Sequence, residues 1–170
     1  MNFRPQLLSA VVIGLLLSVQ ARADTVFTRA DADQLGALVK KLAAAEGDVL
    51  DSLKQTAHND PAHGCLDGIR EEALVSVLHL TSAWKLLTVA TVMRDKRDEL
   101  VVLAMLSGAL KPATQQLRGA RQIINGWMGM CSQAATVNVK GQTVINIFSE
   151  IQQGIAPIQK TLDEVEKTLP

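Results

Sequence analysis

The chain has 170 residues, with 17 Lys and Arg balanced by 17 Asp and Glu, and its side chains are only 3% aromatic, with no tyrosine. That balance gives no electrostatic footing for nucleic acid or an anionic membrane surface, and so few rings leave no stacking platform for bases or sugars. The length suits one ordinary domain, and plentiful Ala, Leu, Gln, Glu and Lys favour helix.

Residues 1–23 have the pattern of a cleavable secretory signal. Arg4 supplies the positive start, Leu7 to Val19 form the apolar core, and Ala21-Arg22-Ala23 offers small residues before the cut. Thirteen helical residues rise only about 20 Å, short of the roughly 30 Å hydrocarbon layer, so no integral membrane segment is expected after cleavage. The expected product is a periplasmic or secreted domain, residues 24–170. Losing Arg4 and Arg22 leaves 15 basic against 17 acidic residues. In an exported chain an isolated pair of cysteines, Cys65 and Cys131, is expected to form one disulfide.

The first helix is predicted to begin at Thr28, whose spacing to Asp31 is that of a capping box. Leu35, Leu38, Leu42, Ala45, Val49 and Leu53 then form one stripe. The turn chemistry of His58-Asn59-Asp60-Pro61 should end the helix near Ala57. A second helix is expected from Cys65 or Leu66 to about Met93, with Leu66, Ile69, Ala73, Val77, Leu80, Trp84, Leu87 and Thr91 as its seam. Its further Leu and Val residues predict cover on more than one side. The charge cluster Arg94–Glu99 is the expected turn.

The third helix carries a seam from Leu103 through Leu106, Leu110, Ala113, Leu117, Ala120, Ile124 and Trp127 to Cys131. Pro112 should kink it. Residues 132–142 are expected to be loop, with a trace of strand near Val137–Val139. The fourth helix follows, with Val144, Phe148, Ile151, Ile155, Ile158, Leu162, Val165 and Leu169 inward and Pro157 as a second kink.

The cysteines test this topology. In an antiparallel hairpin, residues equidistant from the turn lie side by side, and the midpoint of Cys65 and Cys131 is residue 98, inside the charge cluster. The expected fold is therefore all-α: an antiparallel up-down four-helix bundle with Cys65–Cys131 tying the central hairpin. The bridge encloses 67 residues, both cysteines included. It should stabilise the fold by about 4 kcal/mol through chain entropy.

Motifs for catalysis are missing. There is no G-x-S-x-G, no H-E-x-x-H and no Gly-rich phosphate loop, and a bonded cysteine cannot serve as nucleophile. No C-x-x-C-H for haem occurs, and mid-helix His79 is expected to be a part-buried structural residue. The expectation is a non-enzymatic bundle without cofactor that binds a protein partner or itself, as chaperones, inhibitors and immunity-like proteins do. Trp127, Met128 and Met130, set among glycines, are the candidate contact residues, since methionine surfaces adapt to partners. Glycines 119, 126 and 129 would let a neighbouring helix approach. The alternative is a metal or small-ligand site in the loop before Cys65, with His58, Asp60 and His63 as ligands.

Overall fold

The structure, a computed structural model, describes residues 25–168. The expected signal at residues 1–23 and the seam residue Leu169 lie outside the described residues. Four helices account for nearly all of the rest: α1 (Arg29–Gln55), α2 (Pro61–Ala90), α3 (Lys96–Met130) and α4 (Ala135–Thr168). Each packs against its neighbours in the ring α1–α2–α3–α4, with α2 and α4 also touching across the diagonal. The packing is antiparallel, and the Cys65–Cys131 disulfide joins α2 to α3.

Local chemistry sets the ends. Thr28 and Asp31 form the capping box at the start of α1, with the Thr28 N–H donating to Asp31 Oδ2 at 2.7 Å. α2 begins at Pro61, earlier than expected. Asp60 Oδ1 accepts the Ala62 N–H at 2.8 Å, and a proline in the first helical turn loses no hydrogen bond there. The α2–α3 connection spans residues 91–95, so the charge cluster is not itself the turn. Asp95 caps α3 by accepting from the Arg97 and Asp98 N–H groups, and Lys96–Glu99 is already helical. Both α3 and α4 continue as helix through Pro112 and Pro157.

The largest departure is at the start of α4. The loop expected over residues 132–142 shrinks to a short connection, and Val137–Val139 is helix rather than strand. Val137 is fully buried and extends the α4 seam back through Gly141 to Val144. Gly141 hid that seam because it contributes no apolar side chain. Asn138 closes the connection by donating from Nδ2 to the Ser132 carbonyl at 2.9 Å.

The α1, α3 and α4 seams are largely inward, with Leu106, Leu117, Ile124 and Phe148 fully buried. On α2 the expected Leu66, Ile69, Ala73, Leu80 and Leu87 are buried, and Ser76, Ala83 and Ala90 complete the inward row in place of the expected Val77, Trp84 and Thr91. The outer side of α2 is not covered by the described residues: Leu78 is 61% exposed and His79 is exposed rather than part-buried. By length and composition alone α2 could also cross a membrane, and only 33% of its most apolar window is buried.

Glycines set the helix spacing. A Cβ at Gly36 of α1 would meet the Trp84 ring of α2 at 2.6 Å, and one at Gly68 of α2 would collide with the Trp127 ring of α3. A Cβ at Gly141 of α4 would meet Met128 Sδ of α3 at 2.5 Å, and one at Gly154 would meet Leu38 Cδ1 of α1 at 2.7 Å. Every interface in the ring thus holds a large side chain laid across a glycine of its neighbour. Gly36→Ala should therefore cost about 1–3 kcal/mol by overpacking. Gly47→Ala, where a Cβ meets nothing within 4 Å, should gain up to about 1 kcal/mol through helix propensity. Leu117→Ala should cost roughly 2–5 kcal/mol as a core truncation. Urea unfolding of the three variants measures all three.

Candidate functional site

One end of the bundle gathers the α1–α2 loop, the disulfide and the α3–α4 connection. The sequence candidates meet there but point in different directions. Trp127 is half-buried against Gly68 of α2, Met128 is half-buried against Gly141 of α4, and Met130 is 69% exposed. Trp127 thus belongs to the α2–α3 interface. Met128 instead forms the floor of a shallow groove of about 540 Å³ between α3 and α4. Its rim is Asn138, Val139, Gln142, Thr143 and Asn146 of α4.

Sequence reasoning missed Asn138, Val139 and Gln142 because it assigned them to a loop, and without them Thr143 and Asn146 formed no face with Met128. As helix, residues 139, 142, 143 and 146 fall on one face. The signal was present in the charge pattern: between Arg121 and Glu150 the only ionisable side chain besides the bonded Cys131 is Lys140. The groove is therefore apolar at its floor and edged by amides and a hydroxyl. Gln142 Nε2 donates to Asn146 Oδ1 at 2.9 Å along the rim, and Val139 stands 63% exposed beside it.

The histidine loop lies at the same end. The His58 and His63 rings sit 4.5 Å apart, tilted by 50°, beside a cavity of about 360 Å³ lined also by Leu53, Lys54 and Thr56. Asp60 is occupied as the α2 cap. Among the described residues no three His, Cys, Asp or Glu side chains gather as a metal-binding set.

At the opposite end, Ser107 Oγ of α3 donates to Glu166 Oε1 of α4 at 2.6 Å, and Lys111 Nζ lies 3.4 Å from the same oxygen. A cavity of about 240 Å³ with apolar walls, including Leu103 and Leu162, adjoins them. The Ser107 hydrogen bond and the Lys111 charge hold the Glu166 carboxyl below its ordinary range. A carboxylate so held is a weak base for activating a hydroxyl. The mid-helix N–H groups around Ser107 are spent on the helix itself, and the nearby Lys111 ammonium is turned to Glu166. Chemically this trio is a staple between α3 and α4.

Glu72, on the outer α2–α3 seam, shifts the other way. Burial pushes its carboxyl up and Glu71 adds to that, while a 3.1 Å hydrogen bond from Gln116 works against it.

No family model matches the chain, and neither a curated protein nor a solved structure matches it.

The Glu166 staple makes a pH prediction. Its carboxyl is depressed in the folded state, so its contribution is present above the unfolded carboxyl range and is lost as pH falls through the folded pKa. Ser107→Ala should lower the urea midpoint at neutral pH. The gap from the parent should narrow as the titration is repeated at successively lower pH below the ordinary carboxyl range.

Proposed function

We propose that this chain is an exported, non-enzymatic helical bundle that acts by binding another protein, in a chaperone, inhibitor or immunity-like role. The observation carrying this reading is the α3–α4 groove at the disulfide end. Protein interfaces are depleted of charge at their centre and enriched in methionine. The groove has Met128 as its floor, an uncharged rim and an exposed valine at its edge. Its openness suits a partner's side chain or short segment rather than a small molecule, which calls for an enclosing pocket. Export is supported by the leader pattern and by the bonded Cys65–Cys131 pair, since disulfides persist in oxidising compartments.

Val139 and Asn146 carry the test because both are exposed. Met128 is unsuitable, since its side chain fills the Gly141 seat. The tagged protein with Val139→Asp and Asn146→Asp together should keep its helical circular dichroism and melting temperature. It should lose a partner that the parent retains from its own envelope fraction. Identical retained proteins from parent and variant would reject the groove as the binding surface. Amino-terminal sequencing of the exported protein should begin at Asp24.

A further inference from the structure

The four filled glycines leave others unexplained. Gly108, Gly119 and Gly126 of α3 stand open, with nothing within 4 Å of a Cβ built on any of them. Glycine inside a helix weakens it relative to alanine, and no group among the described residues is packed at these three.

They lie on a second stripe of α3, separate from its core seam. From Val101 the stripe steps by four or three through Met105, Gly108, Pro112 and Gln115. It continues in the same steps through Gly119, Ile123 and Gly126 to Met130. No position on it carries a charge, and all are exposed apart from half-buried Gly119. Val101 is 58% exposed, Met105 56%, Ile123 46% and Met130 69%. Isolated exposed apolar residues need no explanation, but an uncharged run spanning a helix does.

The order of positions on this stripe is self-complementary. When α3 is set antiparallel to a copy of itself about the point between Gln115 and Gln116, Met105 falls opposite Gly126 and Ile123 opposite Gly108. Pro112 falls opposite Gly119, and Val101 meets Met130 at the ends. Met105 and Ile123 each face an open glycine, as a large side chain faces a glycine at all four internal interfaces, and the ring of Pro112 faces Gly119. A two-fold interface requires this property, because residue i meets j while j meets i. An unrelated partner would not require it.

We infer that the outer face of α3 is a homodimer interface, occupied by α3 of a second copy running antiparallel across a two-fold axis near Gln115. From Val101 to Met130 the stripe is about 44 Å long at the helical rise. At roughly 10 Å wide it offers about half of the ~800 Å² per partner of a standard interface, which places the dimer in the weak, reversible class. This inference is independent of the α3–α4 groove, which uses a different side of α3.

The test is sedimentation equilibrium on the exported, disulfide-bonded protein. Dimer should appear between about 10 μM and 1 mM. It should persist in about 0.5 M NaCl, because no charge lies in the stripe. Gly126→Leu should leave helix content and melting temperature intact, since the position is open in the monomer, and should weaken dimerisation at least tenfold. Under mild oxidation Gln115→Cys should link two chains, whereas Ile123→Cys should not, because the two copies of residue 123 are far apart in an antiparallel pair. A monomer throughout that concentration range would overturn the inference. So would a dimer that tolerates Gly126→Leu, one that salt dissolves, one that Gln115→Cys fails to link, or one that Ile123→Cys links as readily.

Discussion

The spacing of the helices depends on side chains that are missing. At each of the four ring interfaces one helix presents a glycine and its neighbour lays a large side chain across it: Trp84 on Gly36, Trp127 on Gly68, Met128 on Gly141 and Leu38 on Gly154. Bulk on both sides would push the axes apart, and small residues on both sides would leave voids that cost stability. Polar ties then fix the register. Arg70 meets Glu46 between α2 and α1 at 2.8 Å, Gln116 meets Glu72 between α3 and α2, and Lys41 meets Glu150 between α1 and α4. Between α3 and α4, Ser107 meets Glu166 and Gln159 Nε2 donates to Thr114 Oγ1 at 2.7 Å. The Lys41–Glu150 pair is exposed and weak as a source of stability. The Arg70–Glu46 pair is largely covered, so removing one partner would strand a charge.

The disulfide joins helices that are not in simple register. The α2–α3 turn centres on Met93, five residues short of the cysteine midpoint, so the α3 limb of the hairpin is the longer one. The start of α3 also receives the segment leading into α1. Glu99 is buried there, with Oε1 accepting the Val26 N–H at 2.9 Å and Oε2 meeting Lys96 at 3.1 Å. Phe27 is buried beside α1 as part of the same core. A carboxylate that accepts a backbone N–H and pairs with a lysine is satisfied well enough to be tolerated inside. The segment leading into α1 is thereby fastened to the third helix.

Much of this fold was legible because its seams obey helical spacing. Leu103 through Ile124 is inward as the alternation of three and four requires, and Thr28–Asp31 caps α1 as spaced. Reading failed where apolarity and burial part company. On α2 most of the expected seam is buried, but Ser76, Ala83 and Ala90 also turn inward, and the larger Val77 and Trp84 beside them drew those positions one residue aside. At the start of α4, β-branched residues and Gly141 resembled a strand and a turn, although Gly141 is a seat for Met128 inside a helix. Single-residue periodicity registers what a position carries, not what a neighbour places on it. The groove rim was lost with that helix, while Met128 and Met130 stood out by type alone.

The distribution of charge connects this architecture to its surfaces. Glu46, Glu72, Glu99 and Glu166 each face a partner on a neighbouring element or hold one in place, so several of the acids serve as fasteners. Charge is sparse in two stretches: the outer stripe of α3 from Val101 to Met130 carries none, and only Lys140 separates Arg121 from Glu150 among charged residues. A solvated helix face gains solubility from charged residues, so leaving two long stretches without them has a cost when they face water. Desolvating an uncharged stripe on association is cheap by comparison with burying unpaired ions. The charge-poor groove of α3 and α4 and the charge-poor outer stripe of α3 are therefore places where this bundle can be covered at little electrostatic expense.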